Sequence, residues 1–403
     1  MSSPNVSTSP SSASTSSKTA AQFERDFGQT LLEAVNVSNW SVGPDLAGEY
    51  QRMQSEVSDA VRRENAVQKQ IRERVFPELE TRKTRPKFGG RHAASLDDLQ
   101  RVHRGLLFNG GVEACDGTLK THSTVPLTIH QIGVSMVTYQ GASGSWKQRL
   151  FRRDLRQRIE DPVSEALSLL EGRARQGLDQ EGSGALIQQT LLQYAERAIL
   201  MDRSNAVWRL GHGNPVTYEL LTGGGTLEMM EASLNLLRRM VEKVQKFVYI
   251  ASSPREQLLL TIGAALRPYE YAIVQTLNER LDDWLHQRRF DVEAGASLHW
   301  DGETLPSTEW IPRFIKKVAS RIVVGVFRAS EAAPPLVFYA HDDHAQAAAH
   351  IAIADGMLTG PRGFPLLLEI ARHVGREVFG QGIEELAQSA FAAAGEPWRY
   401  QYA

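Results

Sequence analysis

The chain has 403 residues, 42% of them hydrophobic and 23% charged, which excludes a wholly disordered protein and is enough for one large core or two smaller ones. Its formal net charge of −2 excludes a global attraction to nucleic acid, so any such contact has to come from a local basic face. The single cysteine, Cys115, excludes an internal disulfide framework and a cysteine-rich zinc site.

In chain order, residues 1–20 are Ser/Thr-rich with almost no large apolar side chains, and are expected to be a disordered tail. The start lacks the basic-then-apolar layout of a signal peptide and no apolar run is long enough to span a bilayer, so the protein is expected to be cytoplasmic with no membrane contact. Residues 45–83 predict a long polar helix with a thin apolar stripe through Tyr50, Met53, Val57, Ala60, Val67, Ile71 and Val75, interrupted at Glu64. So narrow a stripe suits assembly, either on the domain or with another subunit. A basic linker, 83–92, precedes the body of the fold, which is expected to span 102–394.

Gly111-Val-Glu-Ala-Cys-Asp-Gly-Thr118 predicts a short strand ending in Asp116 and a glycine turn, followed by a long β-rich run over 125–139. A carboxylate fixed at an open strand end suits a hard divalent cation, and a plain Asp-Gly turn accounts for the same residues. Helices are expected from Pro162 and over 184–201. In the second, Leu192, Ile199 and Leu200 stand at i−4, i+3 and i+4 from Glu196, which turns this carboxylate to the core, where it needs either a buried arginine or a cation. Next come a strand over 216–221, a tight loop over 222–226, a helix over 227–245 and a strand over 247–251, the order of a βαβ unit. The loop is readable as an anion cradle or as plain capping by Thr226.

Helices over 254–289 precede strands at 321–327, 336–340 and 347–353, with final helices starting near Phe364 and Gly382. His341-Asp-Asp-His344 has metal-ligand residue types, but neighbours on a strand point to opposite faces, so only part of it can converge on one ion. His373 follows Gly363-Phe364-Pro365, with Glu369 and Glu377 one turn either side.

Together these segments resemble the NurA nucleases. Val112-Glu-Ala-Cys-Asp-Gly-Thr118 is similar to that family's opening strand, Leu191-Leu-Gln-Tyr-Ala-Glu-Arg-Ala198 to its glutamate-bearing helix, and Arg362-Gly-Phe-Pro through His373 to the segment bearing its late histidine. The resemblance implies an α/β, RNase H-like mixed sheet flanked by helices, with Asp116 and Glu196 holding Mn²⁺ or Mg²⁺ and His373 in a catalytic role. It further implies a DNA-end nuclease, homodimeric, working with a HerA-like hexameric ATPase supplied as a separate chain. The family's second-strand Asp falls at Gly224, which has no side chain to offer, so Glu219 or the 341–344 cluster would have to substitute. An alternative is a catalytically degenerate relative that binds DNA or loads the ATPase, and a third reading is a helix-rich scaffold assembled through 45–83.

Overall fold

The computed structural model describes residues 12–40, 46–123, 127–153, 181–251, 257–279, 281, 297–380 and 382–397. The chain divides into two compact units, 1–66 and 67–403. In the first, Ser12–Phe27 is helical, so helix begins inside the stretch expected to be a tail; Leu31–Val35 follows, opened by a Thr30–Glu33 capping box in which each side chain accepts from the other's backbone N–H. The long expected helix is present as Leu46–Gln70, continuing through Ile71–Val75 into Phe76–Thr81.

The second unit is a nine-stranded mixed sheet flanked by helices. In chain order its strands are β1 (Gly90–Ala93), β2 (Val112–Ser123), β3 (Leu127–Thr138), β4 (Gly141–Arg153), β5 (Trp208–His212), β6 (Phe247–Ala251) and β7 (Glu270–Thr276). A separate hairpin pairs β8 (Ser297–Trp300) with β9 (Glu303–Pro306), and β10 (Ile322–Phe327) and β11 (Leu336–His341) complete the sheet. The spatial order is β1-β7-β10-β11-β6-β5-β2-β3-β4. Strands β2, β3 and β4 form an antiparallel meander, and β5 and β6 run parallel to β2 on its other side. Three meandering strands followed by two parallel ones is the topology of an RNase H-like core, as the sequence resemblance implies.

Both faces of the central strands are covered, so they read as continuous apolar runs. Phe247, Tyr249, Val324, Val326 and Tyr339 join one core with Leu234, Leu237 and Trp310 from helices Leu227–Arg239 and Ser307–Lys317. Val248, Ile250, Val323, Phe327 and Phe338 join the other, beneath helices Leu96–Val102, Ala345–Met357 and Leu366–Gly380.

Several expectations are corrected. The first strand of the parallel pair is Trp208–His212; Tyr218–Thr222 is a short helix whose N-cap Thr217 accepts from Leu220 N–H. Residues 347–353 lie in the helix Ala345–Met357, where nine of thirteen residues are buried and the usual amphipathic period is weak. Strand β7 occupies part of the span expected to be helical, and the helix expected from Pro162 lies outside the described residues. The sheet also begins before residue 102: β1 pairs with β7, and Ile71, Phe76 and Leu79 from the end of the long helix are buried in the core.

Candidate metal site

Asp116 and Gly117 lie in the middle of β2, not at a turn between strands. Asp116 faces Ser135 across the antiparallel side, while parallel pairing with β5 stops one residue earlier, at Cys115 opposite Gly211. Beyond that point β2 runs on past the carboxyl end of β5, so Asp116 stands at an open edge within a continuous strand. In this way one residue is both rigidly held and accessible from the end of the parallel pair. Its side chain is only 7% exposed.

Glu196 comes from the helix Glu181–Arg203. That helix anchors close to β2, with Cys115 Sγ 3.5 Å from the Glu196 carbonyl. A Cβ built on Gly117 would lie 2.4 Å from Glu196 Oε1, so glycine alone permits this approach. Burial is the first cause that pushes the Glu196 carboxyl up to about 7; Asp116 adds to it, while Arg197, His212 and the Gly117 N–H pull the other way. Glu196 retains 17% side-chain exposure, so water still reaches it.

The buried-pair explanation of Glu196 is only partly met. Arg197, 2% exposed, stands 3.6 Å from Glu196 Oε2. Its guanidinium is committed elsewhere, donating to the carbonyls of Pro215 at 2.9 Å, Gln193 at 2.7 Å and Asn214, and lying 5.5 Å over the Tyr249 ring.

Two further groups complete the wall. His212, the last residue of β5, has Nδ1 3.4 Å from Asp116 Oδ1 and sets its ring edge-on to Phe364. Arg372, on the helix Leu366–Gly380, brings Nε to 3.4 Å from Asp116 Oδ2. That helix is held at its start by the wholly buried Asp355, which accepts from Leu367 N–H at 3.0 Å and from the Tyr139 hydroxyl; burial pushes its carboxyl up to about 6. Asp116, Glu196, Arg197, His212 and Arg372 therefore surround one cavity of about 310 Å³, whose remaining wall carries the amides of Gln189, Gln193 and Asn214.

Of the residues singled out in the sequence, Asp116 and Glu196 meet at this cavity and His373 does not. His373 is exposed, and Arg372 takes the inward position because one residue is a turn of about 100° around a helix. Gly224 is not at a strand end: Gly223–Gly225 is a tight turn with left-handed φ at each glycine, in which Gly223 and Gly224 are buried against Met230 and Ile187 while Gly225 is exposed. Thr226, its C-cap, donates to the Gly223 carbonyl and makes no side-chain cap to the next helix. Glu219 is also outside the cavity wall. The residue in the second-strand position is His212. Sequence reasoning passed over it, although Trp208-Arg-Leu-Gly-His212 alternates inward Trp208 and Leu210 and ends, like the Asp116 segment, on a polar residue before glycine.

The other histidine–aspartate group sits at the opposite end of the sheet. His341, Asp342 and Asp343 bring three ligand atoms within 4.8 Å of one another, the only such group among the described residues. Arg321 already pairs with both aspartates and Lys87 with Asp343. Burial, and then Arg321, hold His341 down at about 4, so it stays neutral. Two cations thus occupy the role a metal would have there.

No family profile matches the chain, and no curated protein matches it. Among solved structures it is similar to the NurA nuclease from Sulfolobus solfataricus, at 10% identity over 71% of this chain and 86% of that one, with a TM-score of 0.39. A NurA bound to dAMP and manganese matches at 11% identity over 86% and 97% of the two chains, with a TM-score of 0.38. Endonuclease V from Ciona intestinalis, in complex with an inosine-containing DNA, matches at 11% identity over 67% and 85%, with a TM-score of 0.23. Similarity this low carries no weight for chemistry, which rests on the geometry above.

Proposed function

We propose that the chain is a metal-dependent deoxyribonuclease of the NurA kind that processes DNA ends in the cytoplasm, as a homodimer and with a separate HerA-like ATPase. The observation that supports this most directly is the meeting of Asp116 and Glu196 at the open carboxyl end of the β5–β6 pair, with Gly117 leaving space between them. Two carboxylates, an imidazole and side-chain amides are the oxygen and nitrogen donors that suit Mn²⁺ or Mg²⁺, and a Glu196 carboxyl raised by burial is one that a cation would relieve. The donor set therefore fits a single hard divalent ion held by Asp116 and Glu196.

Such an ion supplies a water activated for attack and neutralises charge on the scissile phosphate. The chain's own groups do the rest. Glu196, with its carboxyl near 7, gives up its proton as the site fills, and the amides of Gln189, Gln193 and Asn214 offer hydrogen bonds to the bound strand. Among the described residues no helix is long and apolar enough to cross a membrane.

The test is cleavage of single- and double-stranded DNA with Mn²⁺, with and without the cognate ATPase, by the native chain and by Asp116→Asn. Mn²⁺-dependent cleavage lost in the variant supports the proposal; equal activity of the two removes it. A second reading, a degenerate protein that binds DNA or loads the ATPase, is favoured by two observations: Arg372 lies against the carboxylate that would hold the ion, and a histidine, His212, ends the second strand. It predicts DNA binding without cleavage under all of these conditions.

A further inference from the structure

The cavity holds two arginines in different circumstances. Arg197 is 2% exposed and spends its donors on backbone carbonyls at 2.7 and 2.9 Å, so it cannot leave without orphaning itself and them. Arg372 is 35% exposed, and its contact with Asp116 is long, 3.4 Å through Nε alone. Its Nη2 is 3.3 and 3.5 Å from the two ring nitrogens of His212, which places the guanidinium across the face of the imidazole. Phe364 lies 5.9 Å beneath it. Where this chain commits an arginine to a carboxylate the geometry differs: Arg72 grips Glu270 with two bonds of 2.8 and 3.1 Å. Charge-assisted bonds that hold a group are short, near 2.7–2.9 Å, and paired.

Resting on the nuclease reading above, we propose that Arg372 is a phosphate-binding residue that guards the cation site: it neutralises Asp116 in the free chain, and a phosphodiester of the incoming nucleic acid draws it away. Charge accounts for the exchange. In the free chain the single positive charge of Arg372 balances Asp116, and a divalent ion arriving there is repelled by it. A phosphodiester brings one negative charge and two oxygens placed for a guanidinium fork, a better partner than the one-point contact with Asp116. Once Arg372 turns to the phosphate, Asp116 is left with a full charge and the ion takes its place. Nucleic acid and cation therefore bind cooperatively, and the ion is held tightly only where there is a strand to cut.

The experiment measures Mn²⁺ binding by paramagnetic resonance and binding of an uncleavable phosphorothioate oligonucleotide by fluorescence anisotropy, on the full chain. Arg372→Ala is expected to bind Mn²⁺ alone at least tenfold more tightly than the native chain, while binding the oligonucleotide without metal at least fivefold more weakly. These opposite signs separate a guard that also grips phosphate from a charge that merely repels cations. Arg376→Ala, one turn along the same helix and exposed, is expected to change Mn²⁺ affinity less than twofold. The oligonucleotide is expected to tighten Mn²⁺ binding in the native chain by a larger factor than in Arg372→Ala. Arg372→Gln gives the same comparisons if the alanine variant does not fold. Mn²⁺ binding alone that is no tighter in the variant, or unchanged oligonucleotide binding, overturns the inference. If the native chain already binds Mn²⁺ tightly without DNA and cuts DNA, the guard is wrong and the nuclease reading stands. If neither protein binds Mn²⁺ under any condition, both fall together.

Discussion

Gly117 has no Cβ, and the space this leaves is what Glu196 occupies, with a built methyl only 2.4 Å from its Oε1. Gly117→Ala is therefore expected to push Glu196 off Asp116, costing about 1–3 kcal/mol of stability as overpacking and weakening Mn²⁺ binding at least tenfold; thermal melting and metal titration check the two effects. Glu196 itself gives a pH signature. Its carboxyl is raised from an ordinary 4.5 to about 7, so folding favours the protonated form: that contribution is fully present below about pH 4.5 and is lost as pH rises through 7. Glu196→Gln should match the native chain near pH 4.5 and be more stable at pH 8, by an amount on the order of 1–2 kcal/mol. Mn²⁺ at pH 8 should raise the melting temperature of the native chain and leave the variant unchanged. A native chain that melts no lower at pH 8 than the variant would remove the strained-carboxylate argument.

Among elements, the long helix has two parts with different work. Tyr50, Met53, Val57, Ala60, Glu64, Val67 and Ile71 follow an unbroken spacing of three and four, the seam of a coiled coil. Along its first part the stripe is open, with Tyr50 62%, Met53 60%, Val57 55% and Val67 46% exposed. In an antiparallel pair of such helices, Glu56 of one would lie by Arg63 of the other. Val57→Lys is expected to shift a dimer to monomer in sedimentation equilibrium without changing the melting of the sheet; an unchanged mass sinks the assembly role of this stripe. The later part belongs to the core. Arg72 holds Glu270 with two bonds and Arg91 adds a third at 2.8 Å. Burial raises the Glu270 carboxyl, but these arginines and the Arg267 N–H outweigh it and leave it lowered. Its stabilising contribution is thus present above the ordinary carboxylate range and lost as pH falls through the depressed value. Arg72→Met should destabilise by about 3 kcal/mol at pH 7, less in acid, because it strips a partner from a buried charge.

For the whole molecule, the division between the two compact units falls at residue 66, inside the long helix. A chain of residues 67–403 keeps Ile71, Phe76 and Leu79, which are 7%, 2% and 6% exposed, together with the Arg72 pair. A chain starting at 84 loses all of them, and large buried side chains are worth about 2–5 kcal/mol each. The 67–403 chain is expected to melt like the native sheet and retain Mn²⁺ binding, while 84–403 is expected to melt far lower or fail to fold. Equal melting of the two would mean the end of the helix only rests on the core. The sheet also separates two polar ends. Asp116, Glu196 and His212 gather where β5 ends, and His341 to Asp343, neutralised by Arg321 and Lys87, gather where β5 begins.

What the sequence determined by itself was local. The β-rich run over 125–139, the apolar runs of β6, β10 and β11, and the inward face of Glu196 at i−4, i+3 and i+4 depend only on local composition and on the periods of strand and helix, which neighbours along the chain express. Those periods blur where most of a helix is buried: along 345–357 only Gln346, Ala347, His350 and Met357 escape burial, and β7 is hidden within a helix-compatible stretch. The site was half legible for the same reason. Asp116 and Glu196 are marked by a carboxylate set among apolar neighbours, a conflict visible in one dimension. That β2 outruns β5 by a few residues, that His212 rather than Gly224 closes the second strand, and that Arg372 rather than His373 faces inward are matters of register and of the rotation of a packed helix. Tertiary structure alone decided them, because the partners that set them lie 96 to 256 residues apart in the chain and meet only when the sheet is assembled.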